Sequence, residues 1–151
     1  MNKNCIVTVR GVQRIASDPE EPEAIEITTT GWYEMKDGKH VLEYDEVFEE
    51  IPGKTHNILT FQNGSALVSK SGQVNTDMLF EVGRVNMADY ETPFGMLDMS
   101  FEATEVTVSK NEENLLLNIS YKMNVAGHVT AECKLDVNIR FQKKVTKKKA
   151  I

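Results

Sequence analysis

The chain has 151 residues, the size of one domain, with 40% hydrophobic and 26% charged residues and a formal charge of −6, long enough to bury roughly two thirds of the surface that its unfolded form exposes. Its charge is uneven: five of the 17 lysine and arginine residues lie within residues 143–151, whereas all 23 acidic residues lie at or before Asp136, so residues 1–142 carry −11 and the end +5. A body this acidic repels a nucleic-acid backbone over most of its surface, the two cysteines exclude a disulfide framework, and no stretch approaches the roughly 20 apolar residues of a membrane span.

The segment from Met1 reaches Arg10 after a very short apolar run, too short for a signal-peptide core. The expected setting is soluble and cytoplasmic, with Cys5 and Cys133 as free thiols. A first strand is expected from about Asn4 to Ile15, with Cys5, Val7 and Val9 on its core face. The acidic, proline-bearing Ser17 to Glu23 reads as an exposed loop. A second strand spans about Ala24 to Met35, placing Ile25, Ile27, Thr29, Tyr33 and Met35 on one face, with a bend or bulge at Gly31. Asp37-Gly38 closes a hairpin to a third strand, about His40 to Glu49, and Ile51-Pro52-Gly53 breaks it from a fourth, about Thr55 to Gln62. Asn63-Gly64 is the strongest two-residue hairpin signal, leading to a fifth strand that ends near Ser71.

After Ser71-Gly72, a sixth strand runs about Gln73 to Val82, with Val74, Thr76, Met78, Phe80 and Val82 on one face, and Gly83 ends it. A short seventh, about Asn86 to Glu91, precedes Thr92-Pro93-Phe94-Gly95. The eighth, about Met96 to Lys110, changes phase from Leu97, Met99 and Phe101 to Val106 and Val108, which implies a bulge or sharp coil. The ninth puts Leu115, Leu117, Ile119, Tyr121, Met123 and Val125 on one face. The last, from Val129 to Phe141, alternates apolar and polar residues throughout, one dry face and one wet.

This pattern predicts an all-β domain over residues 1–142, followed by a lysine-rich, solvated tail at 143–151. Strands this long favour a coiled up-and-down antiparallel barrel of about eight to ten strands, because closure removes exposed edges. A two-sheet sandwich is the alternative.

Several pieces carry a family resemblance: Leu42-Glu43-Tyr44-Asp45-Glu46, then Lys70-Ser71-Gly72, Met78-Leu79-Phe80-Glu81-Val82-Gly83, Tyr90-Glu91-Thr92-Pro93-Phe94-Gly95, and Tyr121 in a long strand. Over nearly the whole chain this resembles the YwiB-like family of bacterial domains of unknown function, the Tyr-x-Thr-Pro-Phe-Gly piece being the most specific. The resemblance implies a calycin-like, lipocalin-type barrel and a bacterial cytoplasmic origin. It implies no activity, because a shared fold does not carry its ligands. The family tends to place arginine where this chain has Lys70, so a planar, bidentate guanidinium is not expected there.

On the third strand Leu42, Tyr44, Glu46 and Phe48 share the apolar face, so Glu46 points inward. A carboxylate there needs a partner, and Lys70, in phase with Ala66 and Val68, supplies one. The pair reads either as a ligand-facing polar group in a cavity or as a structural ion pair. His40, His56 and His128 read as rim residues, with no spacing that builds a metal site. Glu105, near the phase change, is the only other carboxylate that general acid and base work could recruit. In the Tyr90 to Gly95 segment, Pro93 and Gly95 make a structural corner from which Phe94 plugs a barrel end; alternatively, Tyr90 and Thr92 offer hydroxyls at a pocket lip.

The candidate ligand-binding residues are therefore Tyr44, Glu46, Lys70, Tyr90, Thr92 and Tyr121. No catalytic set, metal or cofactor is expected, because no nucleophile elbow, phosphate loop or paired carboxylates occur. Three function classes follow. The first is a barrel that binds a small amphipathic molecule in its interior. The second is a filled barrel acting on a protein partner through its acidic face or basic tail, with nucleic acid disfavoured by the charge of the body. The third, ranked last, is an enzyme of unknown reaction.

Overall fold

The computed structural model describes residues 3–15, 23–48, 51–125 and 128–141. The lysine-rich tail and the Ser17 to Glu23 loop, apart from Glu23 itself, lie outside them. Ten strands follow in order: β1 (Lys3–Ile15), β2 (Glu23–Lys36), β3 (Lys39–Phe48), β4 (Ile51–Gln62), β5 (Ser65–Gly72), β6 (Thr76–Glu81), β7 (Val85–Thr92), β8 (Gly95–Lys110), β9 (Asn114–Val125) and β10 (His128–Phe141). No helix occurs among the described residues, and hence none long and apolar enough to cross a membrane.

All ten strands form one antiparallel sheet in the order β6-β5-β4-β3-β2-β1-β10-β9-β8-β7, which decides for the barrel over the sandwich. The first and last strands pair along their length, from Cys5 opposite Phe141 to Ile15 opposite Ala131. The seam therefore falls in mid-chain, between consecutive strands β6 and β7. It is held by reciprocal backbone bonds between Asn75 and Glu91, each 2.9 Å, and by Asn86, whose side-chain amide donates to the Leu79 carbonyl at 3.0 Å. The Asn63-Gly64 turn fastens β4 and β5 onto β8: Gly64 N donates to Val106 O at 2.9 Å, and Asn63 Oδ1 accepts from Val108 N at 2.7 Å. Gly64 sits at φ 90°, a conformation that glycine alone adopts freely.

Inward alternation puts Val7, Leu42, Leu59, Phe61, Phe80, Phe101, Leu117, Ile119, Val137 and Ile139 in one core. Burial of each such side chain stabilises the fold by roughly 1.5–3 kcal/mol relative to exposure. The phase change in β8 is a bulge, with the β9 register shifting between Ala103 and Glu105, so that Phe101, Ala103 and Val106 all face inward and are buried. Glu105 itself is exposed.

Five expectations need correction. Ile51-Pro52-Gly53 does not break the sheet: β4 begins at Ile51, and its register with β3 slips from Glu46 opposite Thr55 to Phe48 opposite Ile51. Pro52 thereby lies in an irregularity where no ladder N–H is required. β6 is shorter than its apolar pattern, because the Asn75 side chain donates to Gly72 O at 2.9 Å and accepts from Gly72 N at 3.1 Å. This local bonding competes with the ladder, while Val82 is turned out to solvent and pairs in parallel with Ala103. Gly31 is no bulge; it pairs in register with Cys5 and Tyr44, and a Cβ there would meet the Val7 side chain at 2.6 Å, so glycine serves close packing. β10 is less regular than its alternation, with a shift between Val129 and Ala131.

The fifth correction concerns the barrel end. Phe94 is 85% exposed and plugs nothing. The narrow end is closed by Tyr33, His40, Phe61 and Phe141. His40 stacks on Phe61 with centroids 5.1 Å apart, Tyr33 meets Phe141 edge-on at 5.1 Å, and the Tyr33 hydroxyl lies 2.6 Å from His40 Nδ1.

Candidate functional site

Across β3, β4, β5 and β6 the register aligns Tyr44, Asn57, Lys70 and Thr76 in one inward row. Glu46, Thr55 and Gly72 form the next row. The chain thus lays a polar belt across four neighbouring strands, each residue turned inward by the same alternation that turns Leu42, Leu59 and Val68 inward one step deeper.

Within the belt Lys70 Nζ donates to Glu46 Oε1 and to Asn57 Oδ1, each at 2.7 Å, and Asn57 Nδ2 donates to Glu46 Oε1 at 2.8 Å. The ammonium, carboxylate and amide close a triangle. The Glu46 and Lys70 side chains are only 11% and 14% exposed, so each needs the other. Asn57 is fully buried. Thr55 Oγ1 and Thr76 Oγ1 are buried as well, with no hydrogen-bond partner among the described residues.

Above the belt opens a cavity of about 340 Å³ inside the barrel. Tyr44, Glu46, Lys70, Tyr90 and Tyr121 all line it, against an apolar wall that includes Met99, Phe101, Met123 and Leu135. Phe80, Phe101 and Tyr121 pack on one another with ring centroids 4.7–5.8 Å apart and form part of this lining. Gly11, in the interior of β1, faces the cavity, and a Cβ there would meet nothing within 4 Å. A glycine in such a position marks space beside the backbone.

Burial, and next the Glu46 charge, push the Tyr44 and Tyr90 hydroxyls above their ordinary pKa. Burial raises Tyr121 too, followed by Cys133, to which its hydroxyl is hydrogen bonded, and by Tyr90. These phenols face the cavity as neutral groups.

Of the six residues read from the sequence as ligand-binding, five come together. Thr92 does not line the cavity: its Oγ1 donates to Gly95 O at 3.0 Å and accepts from Phe94 N at 3.1 Å, closing the β7–β8 turn. Asn57, Thr55 and Thr76 had no place in that reading. The alternation carries them, since Thr55 and Asn57 are in phase with Leu59 and Phe61 on β4, and Thr76 with Met78 and Phe80 on β6.

Other polar clusters stand apart from the cavity. His56 and Asp45 meet on the outer face at 2.7 Å, and this bond, with a smaller contribution from Lys54, holds the Asp45 carboxyl below its ordinary value. Burial, then Lys110, lowers His40 at the narrow end. The His128 side chain lies outside what the structure describes. Cys5 faces the core, where burial pushes its thiol up to about 11 against a smaller opposing effect from a Gly31 backbone hydrogen bond, the opposite of an activated nucleophile. Among the described residues no three His, Cys, Asp or Glu side chains gather as a metal site.

The family described as "Domain of unknown function (DUF1934)" matches residues 7–137. The chain is 32% identical over 114 residues to the "Uncharacterized beta-barrel protein YwiB" of Bacillus subtilis (strain 168), covering 76% of this chain and 79% of that one. It superposes on the crystal structure of the ywiB protein from Bacillus subtilis with a TM-score of 0.80 and 26% identity, over 94% of both chains.

Proposed function

The chain belongs to the DUF1934 family, and we propose that its barrel holds a small amphipathic molecule, the role suggested by the calycin-like character that the sequence resemblance implies. One observation carries the reading: the interior holds a cavity of about 340 Å³ that is apolar on one wall and polar on the other, within the size range of small-molecule pockets, roughly 300 to 1,000 Å³. A barrel built only for stability gains by filling such space, since voids forfeit dispersion contacts. The open volume beside Gly11 is where a side chain would occupy part of it.

Native mass spectrometry of protein purified from its own host tests the reading. A noncovalent adduct of small-molecule mass is expected on the native chain, and its loss is expected in Gly11→Leu, which places a side chain where a Cβ meets nothing within 4 Å. Bare protein in both forms, under conditions that retain known noncovalent adducts in control proteins, would overturn it.

A second reading, a protein-interaction surface, is favoured by the β7–β8 hairpin, where Met87, Phe94 and Met96 are exposed together with Val85. Val85 with Met87, and Phe94 with Met96, make two apolar pairs on it with Asp89 and Asp98 between them, and clustered apolar side chains mark contact sites more often than single ones do. The same spectra decide it, through a protein-sized partner that survives Gly11→Leu.

A further inference from the structure

We propose that the molecule held in the barrel carries an uncharged hydrogen-bonding head, of the alcohol or amide kind, seated between Tyr44, Tyr90 and the Glu46–Lys70 pair. This rests on the reading that the cavity is a binding site and adds the chemistry of what it selects.

The cavity's polar wall is already neutral. Glu46 and Lys70 cancel each other at 2.7 Å, and Asn57 bonds both of them. A carboxylate head would bring a second anion beside Glu46 with one cation to share. An ammonium head would bring a second cation beside Lys70. Either leaves a net charge beside a largely buried ion pair and against an apolar wall, the costly arrangement for buried ions. Lys134, the other cation lining the cavity, is exposed, where solvent screens it.

The wall nevertheless has hydrogen bonds to give and to take. Lys70 uses two of its three N–H groups, and Glu46 Oε2 accepts none among the described residues. The Tyr44 hydroxyl faces the cavity without a described protein partner, and so does that of Tyr90. Unmet capacity of both signs around a charge-balanced pair fits a head that both donates and accepts but carries no charge. On the facing wall Met99, Met123 and Leu135 suit an unbranched apolar tail, methionine in particular adapting to varied shapes.

The test compares three probes of one chain length, octanol, octanoate and octylamine, titrated calorimetrically into the full chain at neutral pH. Octanol is expected to bind about tenfold or more tightly than either charged probe, a difference of roughly 1.4 kcal/mol or more, and Gly11→Leu should abolish its binding. Glu46→Gln leaves Lys70 as an unbalanced cation and should reverse the order, so that octanoate binds best. Tightest binding of octanoate or octylamine to the unaltered chain, lost in Gly11→Leu, would overturn the uncharged head while the cavity reading stands. An unchanged order of probes in Glu46→Gln also counts against it, with circular dichroism confirming that the variant is folded. No binding by any probe, or binding indifferent to Gly11→Leu, removes the binding site itself.

Discussion

The two walls of the barrel cavity are built from the same strand geometry and do opposite things. On β8, β9 and β10, inward positions carry Phe101, Met123 and Leu135, which bury surface without direction. On β3 and β5, cavity-lining positions carry Tyr44, Glu46 and Lys70, and the Glu46–Lys70 pair, with Asn57 bonded to both, depends on specific partners 2.7–2.8 Å away. The apolar wall depends on filled volume, and the Glu46–Lys70 pair depends on each partner being present.

That contrast can be broken from either side. The largest effect is expected on the apolar wall: Phe101→Ala, at a residue 2% exposed, should destabilise by about 3–5 kcal/mol through lost transfer energy and the void left behind, measured by equilibrium urea unfolding. A loss below about 1 kcal/mol would mean that this wall is loosely packed.

On the polar wall the sharper experiment is a cycle. Glu46→Ala should cost about 3 kcal/mol because it strands Lys70 in a site that is 14% exposed, whereas the double replacement Glu46→Leu with Lys70→Met should cost less, roughly 1–2 kcal/mol, the attraction of the buried pair being offset by its desolvation and the remaining loss coming from the buried Asn57 amide, which loses both partners. If the double variant is as unstable as the single one, the pair contributes cohesion in its own right and the asymmetry between the walls is smaller than argued. The smallest effect has the opposite sign. Thr76→Val removes a buried hydroxyl with no protein partner at nearly constant volume, so it should stabilise the empty protein by about 1 kcal/mol. Destabilisation would show that this hydroxyl has a bonding partner, such as water or a bound molecule, in solution.

Much of the molecule follows from period-two alternation, because side chains in a strand point in turn to two faces whatever the tertiary context. That rule suffices to place Cys5, Val7 and Val9 in the core, to locate the β8 bulge from the break in phase after Phe101, and to bring Glu46 and Lys70 to the same face and, through in-register hairpins, to each other. The resemblance carried by residues 42–46, 70–72, 78–83, 90–95 and 121 leads to the right family.

Only the three-dimensional structure decided where the barrel closes and where it is hollow. Closure depends on which edges meet after the sheet has coiled, and the seam at β6 and β7 is joined by isolated bonds such as those between Asn75 and Glu91, which hydrophobicity does not report. The direction of Phe94 was equally illegible: Pro93 and Gly95 make the turn rigid, but rigidity does not say which way a ring points, and the end of the barrel is closed instead by Tyr33, His40, Phe61 and Phe141 from four different strands. The cavity itself is a difference between volumes enclosed and volumes supplied. Gly11 reads as a weak point in a strand until its surroundings are known; with Leu135 beside it in register and nothing within 4 Å of the place where its Cβ would sit, the missing side chain becomes space.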